Sequence, residues 1–307
     1  MSASTARYQN LTDETLRKAD LQAVLRKIDP RFRLTSVETL GGRARALNVS
    51  MADAGGKRLV LLTHSHGDRQ LNPHIARDEY RLLRILREAG LPVPRVLYLC
   101  ETHEPHFLVT AFVDGSAECG CARTGSCAGA LASILKDIHA LDLGALDLAF
   151  LPRAGDRILR ERWPLTDDQR RIRAAMGPAA SRIQVNAPAL LHGDFWPGNL
   201  LWRKGELAAI IDWEDAMIGD PLADLGKSRL EILWALGWHA MREYSARYLE
   251  LNPQLDADPL PYWDLWGAFR LSHFASFAPH QSAIPRMAAQ YKAFVDDAIR
   301  RLDAFQK

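Results

Sequence analysis

The side chains best suited to chemistry lie within residues 191–226, LHGDFWPGNLLWRKGELAAIIDWEDAMIGDPLADLG. His192 and Asp194 form a His-x-Asp pair, and Asn199 follows Asp194 by five residues. Pro197 and Gly198 keep that loop non-helical, so the Asp194 carboxylate can face a substrate. Asp212 closes a second apolar run, ELAAIID. Transfer of a phosphoryl group from a nucleotide asks little covalent chemistry of a protein. It needs held phosphates, metal ions that neutralise charge, and a carboxylate beside the attacking hydroxyl. Asp194 suits the last of these tasks, and Asn199 and Asp212 are oxygen ligands of the kind Mg²⁺ takes.

The elements around these residues must bring them together. ELAAIID reads as one strand of a short hairpin turned at Lys204-Gly205, whose other strand starts at Asn199. Asn199 and Asp212 therefore come close in space although 13 residues separate them. Taken singly, an Asp-Asn pair in a Pro-Gly loop is an Asx-turn and an Ile-Ile-Asp-Trp is a strand end. Their joint occurrence in this order, with a hairpin between, argues for a site. His192 is expected to bind loop backbone and hold the loop of Asp194, a structural task. Asp220 and Asp224 read as helix caps or braces of the same loop.

The N-terminal half is rich in strands. Helical spacing of Leu11, Thr15, Leu21, Val24, Leu25 and Ile28 predicts a helix to about Pro30 that packs on the outside of the adjoining strands. FRLTSVETL, ALNVSMAD and KRLVLLTHS then read as a three-strand antiparallel meander. Its first turn is a glycine-bearing loop, Gly41-Gly42-Arg43-Ala44-Arg45. No GKS or GKT comes after it, so the loop is not a Walker A sequence, but its backbone N–H groups can close over phosphates. Asn72-Pro73 opens a helix over about 73–89 with Glu79 beside its apolar stripe. Two more strands, RVLYLCE and HFLVTAFV, complete the set. Composition shifts after Gly115, and from a helix over 128–141 onward the strong periods are helical. Seven of the eight tryptophans lie beyond residue 190. The spacing predicts an N-terminal domain over 1–113, with 1–30 as a helical extension, and a helical domain over 114–307.

Composition narrows the function classes. With 39 basic and 37 acidic side chains and no Lys- or Arg-rich block, nothing points to nucleic acid. No segment approaches 18 uninterrupted apolar residues and none resembles a signal peptide, so the expectation is a cytoplasmic protein without a membrane partner. Four cysteines are too few for a disulfide-built fold. Cys119, Cys121 and Cys127 fit no strong zinc pattern and read as incidental. The aromatic residues of the last third, Trp234 to Phe277, read as core by their helical spacing, and PHQSAIPRM as a loop. The C-terminal half shows no dense acidic run that would receive a polycation, which points to a less basic, more apolar acceptor.

His192-Gly-Asp194-x4-Asn199, then Ile-Asp212-Trp-Glu-Asp-Ala and Gly-Asp220-Pro-x2-Asp224-Leu, resembles the aminoglycoside phosphotransferase family, related to choline and protein kinases. Gly41-Gly42, Glu79 in RDEYRLLRILREAGLPVPRV, the FLVTAFVDG hinge and the LKDIHALD helix recur in family order, so the resemblance covers most of the chain. It implies an α+β, bilobal, protein-kinase-like fold: an N-terminal antiparallel sheet with a helix, and a larger, mainly helical C-terminal lobe. It further implies ATP or GTP as donor, Mg²⁺, a small-molecule hydroxyl as acceptor, and a monomer or homodimer. By the resemblance Asp194 is the catalytic base, Asn199 and Asp212 the metal ligands, and Thr110, Ala111, Phe112 and Val113 present backbone to the purine. One departure stands out. The family's third-strand Lys or Arg, which contacts the phosphates and pairs with the helix glutamate, is Leu62 here. His64 shares a strand face with Leu62 and Val60, and with Arg43 and Arg45 it is a candidate for the missing cation's role. The alternative is a nucleotide-binding pseudokinase or weakly active relative.

Overall fold

A computed structural model describes residues 18–40, 50–102, 105–118, 127–154, 165–180, 183 and 186–305. The chain divides into two compact units, Met1–Arg84 with Pro94–Phe112, and Ile85–Val93 with Val113–Lys307. The glycine loop with Gly41, Gly42, Arg43 and Arg45, and also Cys119 and Cys121, lie outside the described residues.

The first unit is built on a five-stranded antiparallel sheet. Its strands are β1 (Leu34–Thr39), β2 (Ser50–Ala54), β3 (Lys57–Thr63), β4 (Val96–Cys100) and β5 (Phe107–Ala111), in the order β1-β2-β3-β5-β4. Helix α1 (Lys18–Ile28) turns Leu21, Val24 and Leu25 onto Phe32, Leu59, Leu61, Phe107 and Val109. Alternation along β3 puts Leu59, Leu61 and Thr63 into that core and leaves Val60 and Leu62 half-buried on the opposite face. A short helix, α2 (His66–Leu71), comes at once after it, capped by Ser65, whose Oγ accepts the Asp68 N–H at 3.1 Å. Periodicity gives no sign of this helix, because one and a half turns with no buried residue carry no hydrophobic period. Helix α3 (Ile75–Glu88) starts two residues later than Pro73. Asn72 Oδ1 accepts the His74 N–H at 2.9 Å and its carbonyl accepts the Ile75 N–H, so a tight turn uses the positions expected for the first helical turn.

The second unit is mainly helical: α4 (Cys127–His139), α5 (Asp167–Ala179), α6 (Pro221–Leu251), α7 (Leu260–Arg270) and α8 (Ile284–Phe305). It also holds two small antiparallel ladders, β6 (Ala189–Leu191) with β9 (Met217–Gly219), and β7 (Leu200–Arg203) with β8 (Glu206–Ile210). Lys204 and Gly205, both at positive φ (55° and 84°), make the β7–β8 turn, the backbone twist that two-residue hairpins need. Helices α6 and α7 meet backbone to backbone. A Cβ on Gly226 would lie 2.5 Å from the Trp263 carbonyl, and one on Gly267 2.5 Å from the Lys227 Cα. Gly237 (φ 90°, ψ 176°) breaks α6, and the Leu233 and Trp234 carbonyls beside the break accept from Gln290 and Arg286 of α8. Asp264 of α7, fully buried, receives Arg229 at 2.8 Å and Arg301 at 2.5 Å. The expected loop PHQSAIPRM is a loop only in part, since Ile284 to Met287 begin α8 with Pro285 in its first turn, where a missing N–H costs nothing.

Candidate active site

The loop after β6 is fixed from three sides. Gly193 adopts φ +78°, and a Cβ there would fall 2.0 Å from the Asp215 carbonyl oxygen, so the turn demands glycine. His192 is fully buried, with Nε2 donating to the Ile211 carbonyl at 3.0 Å and Nδ1 accepting the Asp194 N–H at 3.2 Å. Its ring lies 4.4 Å from that of Trp213. Burial pushes the imidazole pKa down against the pull of Asp224 and Asp194, which fits this neutral, one-donor, one-acceptor arrangement. Asp224, 2% exposed, accepts the N–H groups of His192 (2.6 Å) and Gly193 (2.8 Å) and lies 3.2 Å from His139 Nε2. Burial alone would raise its pKa, but the His139 hydrogen bond and charge, together with the loop N–H groups, hold it below the ordinary carboxylate value. Asp220 caps α6 by accepting the Leu222 N–H at 2.9 Å and ties in Asn186 at 2.8 Å. Both aspartates and His192 therefore have the bracing roles expected of them.

Asp194 sits at the centre of this frame, its side chain 15% exposed. Asn199 Nδ2 donates to the Asp194 carbonyl and to its Oδ2, both at 2.9 Å. Lys227 of α6, 1% exposed, donates to Asp194 Oδ1 and to Glu231 Oε2, the latter at 3.1 Å. Desolvation would lower the Lys227 pKa, and the carboxylates of Asp194 and Glu231 outweigh it and hold the ammonium charged above its usual range. Lys227 and Glu231 are site residues that the motif reading misses. Their signal is a run of charges at helical spacing, Asp220, Asp224, Lys227 and Glu231, on a helix half that is buried throughout.

The Ile211 N–H donates to the Asn199 carbonyl at 2.9 Å, which joins the two strand ends and brings Asn199 beside Asp212. β8 itself ends at Ile210, and Asp212 lies beyond it at φ 70°. A non-glycine residue held in the left-handed region costs about 1–2 kcal/mol and is found where a side chain must be aimed. These residues fit a hard divalent cation. Asn199 commits its amide nitrogen to Asp194, so Oδ1 is the atom it could offer a cation, and with the Asp212 carboxylate it would make an oxygen-only donor pair. Among the described residues no cluster of three or more His, Cys, Asp or Glu side chains could hold a metal. A two-ligand site suits Mg²⁺, which keeps waters and binds substrate phosphates rather than an all-protein cage.

In the first unit Glu79 has a partner. His64, one residue beyond β3, lies with Nε2 2.7 Å from Glu79 Oε2, both groups buried. Its Nδ1 is buried without a hydrogen-bond partner among the described residues. Arg69 Nη1 holds the His64 carbonyl at 3.0 Å. Leu62 thus puts no cation at its own position of β3, and a histidine two residues on meets the helix glutamate. Thr110 and Ala111 belong to β5, and Phe112 and Val113 come directly after it. The N–H groups of Ala111 and Phe112 go to the carbonyls of Arg95 (2.9 Å) and Arg58 (3.1 Å).

The model of the phosphotransferase enzyme family, APH, matches residues 36–266. Among curated proteins the chain is similar to mouse acyl-CoA dehydrogenase family member 10, 28% identical over 72% of this chain and 24% of that protein. It is likewise similar to family member 11 of chicken, 30% identical over 59% of this chain and 26% of that one. The chain thus spans about a quarter of the length of these relatives. A shorter match, 35% identical over 71 residues, is to hygromycin-B 4-O-kinase of Escherichia coli, covering 23% of this chain and 20% of that enzyme. Among solved structures the fold is similar to aminoglycoside phosphotransferase APH(4)-Ia in ternary complex with AMP-PNP and hygromycin B, with a TM-score of 0.64 and 18% identity over 92% of this chain and 98% of that one. Choline kinase LicA from Streptococcus pneumoniae gives a TM-score of 0.63 at 19% identity over 92% of this chain and 99% of that one. The architecture is an α+β fold like that of these aminoglycoside phosphotransferase and choline kinase structures.

Proposed function

The chain belongs to the phosphotransferase enzyme family, and from that premise we propose that it transfers the γ-phosphoryl group of ATP or GTP to a hydroxyl of a small molecule. The observation that carries this reading is the clamped Asp194 carboxylate, gripped by Asn199 on one oxygen and Lys227 on the other, beside the Asn199–Asp212 oxygen pair. Asp194 accepts a hydrogen bond from the acceptor hydroxyl, orients it towards the phosphoryl group and takes its proton as the new P–O bond forms and the bond to the β-phosphate oxygen breaks. Asn199 and Asp212 would hold Mg²⁺, which supplies charge neutralisation at the phosphates.

On the donor side, Gly41, Gly42, Arg43 and Arg45 cover the phosphates, residues 110–113 meet the purine, and His64, as the doubly protonated imidazolium, takes over from the absent strand lysine, with Nε2–H donating to Glu79 and Nδ1–H left to donate to a phosphate oxygen. The protein acts in the cytoplasm, as a monomer or homodimer, without nucleic-acid or membrane partners. Leu62 favours a second reading, a nucleotide-binding pseudokinase. Nucleoside-diphosphate release from ATP and GTP with Mg²⁺, screened across hydroxyl acceptors, decides between them. Acceptor-dependent release that disappears in Asp194→Asn supports the kinase. Nucleotide binding with no release for any acceptor supports the second reading.

A further inference from the structure

The surroundings of Asp194 carry information about what the acceptor must look like. Lys227 places a buried ammonium directly on the carboxylate expected to meet the acceptor hydroxyl. A second cation stands close by. Arg270, at the last turn of α7, pairs through Nη2 with Asp215 Oδ2 at 3.0 Å, and the Asp215 backbone packs on Gly193, the residue before Asp194. The Gly267–Lys227 backbone contact brings α7 against α6 one turn before Arg270, and the charges of both Arg270 and Asp215 are felt at Lys227. The guanidinium carbon lies 4.9 Å from the centre of the Trp266 ring, so a flat apolar wall fixes its plane.

This arrangement disfavours one class of acceptor and favours another. Three carboxylates around the site are engaged by cations: Asp194 and Glu231 by Lys227, and Asp215 by Arg270. A positively charged acceptor would have to displace these ion pairs and approach the buried Lys227 ammonium. Conversely, Arg270 Nη1 is buried and has no hydrogen-bond partner among the described residues. A guanidinium with one fork satisfied and one buried and idle is an unmet donor, and unmet buried donors are rare unless a ligand or ion completes them.

Resting on the phosphotransferase reading above, we infer that the acceptor is an anionic hydroxy compound whose carboxylate or phosphate is received by Arg270 Nη1 while its hydroxyl faces Asp194. Arg270 is then the residue that selects the acceptor by charge, and Lys227 adds to the same selection.

The test is binding of acceptor probes to the full chain with Mg²⁺ and AMP-PNP present, by calorimetry: 3-hydroxybutyrate for the carboxylate, glycerol 3-phosphate for the phosphate, glycerol as the neutral control, and choline and hygromycin B as cations. At least one anionic probe is expected to bind ten-fold or more tighter than glycerol and both cations. That preference should vanish in Arg270→Gln and largely return in Arg270→Lys, which also controls for folding because both variants must still bind AMP-PNP. Tighter binding of a cation or of glycerol, no binding of either anion, or an anion preference that survives in Arg270→Gln overturns the inference. The carboxylate and phosphate arms tell the two anion sources apart. Failure of the wild-type protein to bind Mg²⁺ and AMP-PNP would instead overturn the phosphotransferase reading itself.

Discussion

Asp224 is the post on which the catalytic loop hangs, and its removal has a calculable cost. Asp224→Ala leaves three buried donors without their acceptor: the N–H groups of His192 and Gly193, and His139 Nε2. Each unmet buried donor costs about 1–3 kcal/mol, and loop relaxation and entering water recover part of that sum. The expected loss is therefore about 3–5 kcal/mol, the range found when one partner of a buried ion pair is removed. Asp224→Asn keeps the shape and one acceptor oxygen but turns an amide group towards a donor, so about 2 kcal/mol is expected. Tryptophan fluorescence isolates the relevant unit in a urea melt, because every tryptophan lies at or beyond residue 163. With a slope of about 2 kcal/mol per molar urea, the alanine variant should melt about 2 M earlier and the asparagine variant about 1 M earlier. A shift below about 0.5 M for Asp224→Ala, or an equal shift for both variants, would refute the claim that Asp224 carries the loop.

The same geometry makes three further predictions. Gly193→Ala forces a Cβ into the Asp215 carbonyl at φ +78°, and because a 1 Å misplacement of a catalytic group costs about 100-fold, turnover in the diphosphate-release assay should fall by at least about that factor while AMP-PNP affinity changes little. His64→Gln keeps a donor for Glu79 but removes the idle ring nitrogen, so Mg²⁺-dependent nucleotide affinity should drop about ten-fold, equal to about 1.4 kcal/mol, with the melting temperature nearly unchanged; unaltered affinity would remove His64 from the donor site. The His192 pKa is depressed in the folded state, so below about pH 6.5 the unfolded chain takes up the proton first and stability falls with pH, by at most about 1.4 kcal/mol per unit from this group. Urea melts at pH 7 and 5.5 should show a smaller pH effect in His192→Asn than in the wild type.

How much of this was legible in the residues depends on whether the signal was local. The hairpin turned at Lys204-Gly205 and the cap at Asp220 are set by neighbours in sequence, and each was readable there; the stretch at Pro197 and Gly198, read as non-helical, is instead a single 3-10 turn, Pro197–Asn199, because a proline suits a first helical position. His64 was within reach because strand alternation put it on the face of Leu62, although only the fold brings it to Glu79. Lys227, Glu231 and Arg270 were not readable as site residues. Lys227, paired with Glu231, meets the Asp194 loop from α6, and Arg270 meets Asp215 from α7; the helical spacing of the α6 charges is a sign of them, but which loop they face is a tertiary event. The short helix α2 escaped for the opposite reason, since it buries nothing and leaves no periodic mark.

The central claim, that Asn199 and Asp212 hold the metal through which a nucleotide is bound at this site, is tested most directly by calorimetry of AMP-PNP binding with and without Mg²⁺. The account predicts that Mg²⁺ tightens binding to the wild-type chain, and that Asp212→Ala loses this enhancement while retaining the weaker metal-free binding. Equal enhancement by Mg²⁺ in Asp212→Ala and in the wild type would contradict it.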